Sequence, residues 1–263
     1  MNTNTILYFI AYLIIYSFAG WVLESVYKSI YQKKFVNSGF LRGPYCPIYG
    51  FGAIIMLLTL SFLKEKPILL FLASFFILSC WEYLVGLFLE KAFKTKYWDY
   101  SNLKFNIHGR VCLKNSIFWG ILGLVFICVI HPFVEERLHQ IPTDLLLYTN
   151  IIIGTAMLVD LVVSTITTIN FEGMIAKINE IRETISYSLE AGPFENREGI
   201  IAKLKAEETK LRIRIYKQAS RLRNAFPTMK SETVTKFLSE KIDINKLKQN
   251  IKKRNKKWKD ENI

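Results

Sequence analysis

Several things are scarce in this sequence of 263 residues, and each scarcity removes a class of function. Cysteine occurs four times, as Cys46, Cys80, Cys112 and Cys128, with no CxxC pairing, which leaves neither a zinc ribbon nor a dithiol redox motif. The three histidines, His108, His131 and His139, are dispersed, so no metal is expected; they are read as interfacial or loop residues. No GxxxxGK[ST] phosphate loop is present, so the chain carries no nucleotide-hydrolysing motif of that kind and no cofactor is expected. The leader MNTNT has no positive charge and no small-residue cleavage site follows it, which favours a retained first span over a signal peptide.

What is abundant is apolar sequence, and it is gathered before about residue 170. Blocks at 6–23, 45–63, 68–89, 117–130 with flanks and 145–169 approach or exceed the roughly 20 residues that cross a bilayer core. The expected fold is all-α: a polytopic helical membrane bundle of about five spans, with a cytoplasmic amphipathic helical C-terminal region. Two domains are expected, a transmembrane helical domain at 1–170 and a basic cytoplasmic helical tail at 171–263.

Charge orients the bundle. Lys28, Lys33, Lys34 and Arg42 lie in the first loop, and Lys91, Lys94, Lys96, Lys104, Arg110 and Lys114 in the third; the alternate connections carry only Lys64 and Lys66, or Arg137. The basic loops are expected inside, with the N-terminus outside and the C-terminus cytoplasmic, in a cell membrane. Of the net charge of +13, most resides in the tail, which suits contact with the lipid bilayer. No aromatic-interleaved basic module suggests nucleic acid as a partner. Cysteines near an inner, reducing face are expected as free thiols.

Two stretches carry chemistry. The first, 37–52, reads NSGFLRGPYCPIYGFG; Pro44 and Pro47 fit the first turns of a helix, while Gly43, Pro47 and Gly50 form a narrow face that another helix could approach. Free amides there, beside Arg42, could also hold an anion. The second stretch holds Trp98, Asp99, Tyr100, Asn106, Gly109 and Arg110, and is expected to be an ordered loop folded inward rather than a spacer.

Acidic residues inside apolar spans sharpen this reading. At 1.5 Å per residue, Glu82 and Asp160 lie about 21 and 23 Å into their spans, with Glu24 nearer the inner face. Carboxylates at such depth face a bundle interior, a cation or a proton. The candidate polar site is therefore Glu24, Arg42, Glu82, Asp99, Asn106, Arg110 and Asp160, with Gly43, Pro44, Cys46, Pro47, Tyr49, Gly50, Trp81, Trp98, Tyr100 and Gly109 as structural motif residues.

The segments GWVLESVY, GFLRGPYCPIYGFG, CWEYLVGLFLE, YWDYS and FNIHGRVCL, in this order over 18–169, resemble the bacterial membrane proteins grouped as ABC-transporter type IV, or CmpB-like, permeases. The resemblance implies a multi-pass inner membrane protein acting as a permease-like transport component, with a separate ATPase subunit as partner. It brings no established catalytic role to any residue. The alternative is a membrane-embedded enzyme or lipid-binding protein that acts on an anionic lipid-linked substrate with Glu82, Asp99 or Asp160 as acid or base, held by Arg42 and Arg110.

Beyond residue 170, Met174, Ile178, Ile181 and Ile185, then Leu204, Leu211 and Ile215, keep helical spacing on either side of Gly192 and Pro193. They are expected to pair as a hairpin or as a coiled coil that makes a homo-oligomer. Phe226 and Pro227 end that unit. A third helix is expected after Ser231, with Val234, Phe237, Leu238 and Ile242 apolar, before the basic tract 252–259.

Overall fold

The computed structural model describes residues 3–190 and 197–239. It is helical almost throughout, with one short hairpin. The helices are α1 (Thr3–Gln32), α2 (Pro47–Leu60, continued by a 3₁₀ turn Ser61–Leu63), α3 (Pro67–Phe93), α4 (Leu113–Val125), α5 (His131–His139), α6 (Thr143–Glu190), α7 (Arg197–Ala225) and α8 (Glu232–Ser239). Strands β1 (Asn106–Ile107) and β2 (Val111–Cys112) pair antiparallel.

Four helical stretches are long and apolar enough to cross a bilayer: Asn4–Gln32, Pro67–Phe93, Leu113–His139 and Thr143–Phe171. Their apolar side chains are largely exposed, Phe76, Phe88, Ile152 and Leu158 among them, as expected where lipid rather than water is the solvent. The second apolar block forms a shorter helix, and hydrogen bonds account for its length. After Gln32 the chain turns back along α1: Val36 N–H donates to Ser29 Oγ (2.9 Å), Ser38 N–H to Ser25 Oγ (3.1 Å) and Cys46 N–H to the Ser17 carbonyl (2.9 Å). Since Ser17 lies about 22 Å from the end of α1 at 1.5 Å per residue, α2 starts halfway along its neighbour. Only a short helix is then needed to reach the far end.

The fourth block, expected at 117–130 with flanks, lies in a helical stretch that runs over Leu113–His139. Proline has no amide to donate, and a π turn over Phe126–Ile130 precedes Pro132, so the helix re-forms as α5 without a break. Of the expected interfacial or loop positions, the loop reading is corrected for His131 and His139, which lie on α5: Tyr16 Oη is 2.9 Å from His131 Nδ1, and the exposed His139 stacks on Tyr8.

The core of this bundle joins Tyr12, Tyr16, Met56, Leu60, Leu70, Leu78, Phe126 and Leu138. Packing is closest between α1 and α2 and between α3 and α4. Gly50 is what lets the first pair approach, because a Cβ there would overlap Ser17 Oγ and the Leu13 carbonyl.

The chain divides into two compact units. The first comprises Met1–Ile166 together with Arg223–Lys230; the second comprises Thr167–Leu222 and Ser231–Ile263. Within the second, Ile178, Ile181, Ile185, Ile215, Ala219, Leu222, Val234 and Phe237 are buried, so the apolar stripes read from the sequence do meet partners. Ion pairs Lys177–Glu207 (2.9 Å) and Arg182–Glu208 (2.9 Å) flank them. The expectations for Gly192, Pro193, Ile242 and the tract 252–259 fall outside the described residues.

Candidate functional site

The site is built where two loops fold back onto the helices they follow. In the first, Trp21 Nε1 donates to Asn37 Oδ1 (2.6 Å) and Asn37 Nδ2 to the Arg42 carbonyl (2.7 Å), which pins the loop beside α1. The loop ends at Cys46, Pro47 and Tyr49. Cys46 Sγ lies 3.5 Å from Glu24 Oε2, and the side chain is buried. Cys46 is thus a packed thiol beside a carboxylate, without the electropositive, accessible setting of a reactive cysteine. All four cysteines are free.

Glu82 is the centre of the arrangement. It lies on α3 with 4% of its surface exposed, and three neutral groups converge on it. Trp119 Nε1 donates to Oε2 (2.9 Å); Tyr100 Oη (3.2 Å) and Asn115 Nδ2 (3.4 Å) donate to Oε1. Asn115 and Trp119 are four residues apart on α4 and so share a face; Tyr100 comes from the second inward-folded loop. Tyr49 packs its ring 5.7 Å from Trp119 and lies within electrostatic reach of Glu24, Cys46, Tyr100 and Glu82. Burial, together with the carboxylate it serves, pushes the Tyr100 phenol well above its ordinary value, which keeps it a donor. Among the described residues no cation pairs with Glu82.

The second loop is held by its own turn. His108 and Gly109 both have positive φ (52° and 66°), Arg110 N–H closes onto the Ile107 carbonyl at 3.0 Å, and Gly109 N–H donates to Asn106 Oδ1 at 3.0 Å. This is the pattern of a type I′ turn, where glycine relieves the steric cost. Trp98 Nε1 donates to the Arg110 carbonyl (2.8 Å), and Tyr100 N–H to the Gly109 carbonyl (2.8 Å), which aims Tyr100 at Glu82.

The other acidic and basic residues fall into separate networks. Asp160, on α6, does not join Glu82: its Oδ2 accepts the Gly43 amide (2.7 Å) and its Oδ1 the Arg42 amide (3.2 Å), so it caps the loop that leads to Pro44 and Pro47. Arg110 pairs with Glu90 (3.0 Å) and lies over the Tyr83 ring; it does not reach Glu82. Trp81 ties α3 to α2 through the Ile48 carbonyl (2.9 Å). Glu24 pairs with Lys28 (2.7 Å).

Asp99 forms a third centre. Its carboxylate meets Lys96 at 2.8 Å and Lys230 at 2.6 Å and accepts from Ser101 Oγ at 2.6 Å. Although burial works the other way, the hydrogen bonds from Lys230, Lys96 and Ser101 hold its carboxyl well below the usual carboxylate range. Lys230 belongs to a clip, Arg223–Lys230, that returns to this end of the first unit. Lys96 and Lys230 pair backbone to backbone in both directions (3.0 and 2.8 Å), Asp99 N–H donates to Thr228 Oγ1 (3.2 Å), and Phe226 packs edge-on to Tyr97. Lys34 and Gln32 hold Asn224, while Lys28 donates to the Ala225 carbonyl and lies over the Phe226 ring.

Sequence reasoning placed Glu82 and Asp160 at one depth with Glu24 nearer the inner face and set Tyr49 and Tyr100 among the motif residues; it did not single out Asn115 or Trp119, and it read Lys28 only as a loop charge. The 115/119 spacing before an apolar run was the available signal. The clip left none beyond Phe226 and Pro227, read only as a stop.

Comparison with known proteins adds one match. A family model described as "Putative ABC-transporter type IV" matches residues 11–165, which contain every residue of the Glu82 cluster. No curated protein and no solved structure matches.

Proposed function

The chain belongs to the ABC-transporter type IV family of membrane proteins, and from that premise we propose that it is a permease-like transport component whose working group is Glu82. The observation that carries this reading is a carboxylate, 4% exposed within a membrane-length helix, held by Tyr100, Asn115 and Trp119 and by no cation among the described residues. A group of this kind is costly to keep charged in a bilayer and marks an ion or substrate path by default. Its three donors suit the anion, so the arrival of a proton or a cationic group changes the energy of the whole cluster. The site belongs to the inner side of the membrane, as the basic loops that build it imply.

Nucleotide hydrolysis, on this reading, comes from a separate ATPase subunit, because the chain has no phosphate loop. The competing reading, an enzyme acting on an anionic lipid-linked substrate, draws less support: Arg110 is engaged by Glu90, and Cys46 is not activated.

Affinity purification from native membranes in mild detergent, followed by an ATPase assay, tests the proposal. A stoichiometric nucleotide-hydrolysing partner is expected, with activity reduced about tenfold or more by Glu82→Gln, the scale of losing a charge-assisted contact. Recovery of the protein alone, or full activity in the variant, would overturn it.

A further inference from the structure

The first unit contains eight residues that come from far along the chain; Lys230 and Thr228 meet Asp99, and one side chain, Lys28, links the clip to Glu24. Lys28 Nζ has three attachments: Glu24 Oε1 at 2.7 Å, the Ala225 carbonyl, and the face of Phe226 at 5.0 Å. Two of the three belong to the clip. Glu24 is in turn the neighbour of Cys46 and acts electrostatically on Glu82 and Tyr100. The clip is seated by bonds of several independent kinds: the reciprocal Lys96–Lys230 backbone pair, the Asp99–Lys230 ion pair, Thr228 beneath the Asp99 amide, and Asn224 between Gln32 and Lys34. In sequence it is bracketed on both sides by residues of the second unit, Leu222 and Ser231.

We propose that Arg223–Lys230 is a latch that sets the charge balance of the polar site by holding Lys28 on Glu24. With the latch seated, Lys28 neutralises Glu24, while Glu82 has no ion pair among the described residues. With the latch gone, the Lys28 ammonium keeps a single attachment; its flexible four-carbon stem carries it toward water at the end of α1. Glu24 then loses its counter-charge, and its negative charge adds to that of Glu82 within the same unit. A change in the seating of the clip thereby reaches Glu24 through Lys28. This inference rests on the reading of Glu82 as the working group, but its test does not involve transport.

The measurement is carbodiimide-driven coupling of an amine to carboxylates in the full chain held in lipid nanodiscs, read residue by residue by mass spectrometry. Glu65, exposed in the turn before α3, serves as the internal reference. Phe226→Ala and Lys230→Glu are each expected to raise the Glu24 to Glu65 labelling ratio about tenfold, the scale set by freeing an ammonium from two partners. Lys28→Gln raises it as much, and combining Lys28→Gln with either latch variant adds nothing further, because the effect passes through Lys28. A latch that merely covers the surface would raise Glu24 labelling in the Lys28→Gln background as well, and that result overturns the proposal. So does an unchanged ratio in both latch variants. A variant that fails to fold exposes Asp160 and Glu82 together with Glu24, and the milder Thr228→Ala then supplies the comparison. If Glu82→Gln leaves a partner's ATPase untouched while this labelling pattern holds, the transport reading falls and the latch stands; the reverse pattern removes the latch and leaves the transport reading in place.

Discussion

Asp99 shows how a single side chain can be read in opposite ways. In sequence it is an acid in a candidate site; in the structure it is ionised ballast between Lys96 and Lys230. Its carboxyl is held below its ordinary value of 3.8, so the unfolded chain takes up the proton first as the pH falls. The stabilisation is therefore complete above about pH 4 and is lost as the pH drops through the lower folded value. Thermal unfolding of the detergent-solubilised protein should show wild type above Asp99→Asn from neutral pH down to that point, with the two curves meeting only below it. Gly109 is the companion case: a Cβ there would overlap Asp99 Oδ1, and its φ is 66°. Gly109→Ala should cost about 1–3 kcal/mol, the range for a non-glycine residue forced into that region, and should weaken the Tyr100 contact with Glu82. Loss of Tyr100 protection from iodination would register it.

Helices and loops were legible to different degrees. The apolar blocks specified where helices lie, since a run of 20 apolar residues has few other places to go. What they could not specify was the length of α2. That depends on Ser17, Ser25 and Ser29 offering bonds to a loop that retraces α1, and serine in an apolar helix has no distinctive spacing. The inward turn of the second loop was readable, because Asn106 and Gly109 name a turn and Tyr100 stands at its base. The pairing of Asp160 with the Arg42 and Gly43 amides was not, because depth in the bundle gives no direction around a helix. Close packing of α1 on α2 gives a paired test. Gly50→Ala puts a methyl 2.5 Å from the Leu13 carbonyl oxygen, a backbone atom that cannot yield, and should destabilise by about 1–3 kcal/mol. Gly173→Ala, on a helix with nothing within 4 Å, should stabilise by about 0.5–1 kcal/mol. Opposite shifts of the melting temperature are the expected result.

At the scale of the molecule, the hydrogen bonds place the first loop, the second loop and the clip at one end of the first unit. With the basic residues they carry, that end should face the cytoplasm. Single cysteines introduced as Lys34→Cys, Lys104→Cys and Thr228→Cys should react with an impermeant maleimide in inside-out vesicles only, and one introduced as Lys64→Cys in right-side-out vesicles only. Labelling of Lys34→Cys and Lys104→Cys from opposite sides would contradict the arrangement.

The cap that Asp160 places on the Arg42 and Gly43 amides also orders events in time. Gly43 leaves the ribosome 117 residues before its acceptor exists. Until α6 is made, the Arg42 and Gly43 amides before α2 lack this acceptor, so the earlier helices are threaded while that corner is still provisional. A chain arrested before residue 160 would then be a quality-control substrate, cleared by membrane proteases faster than one arrested ten residues later.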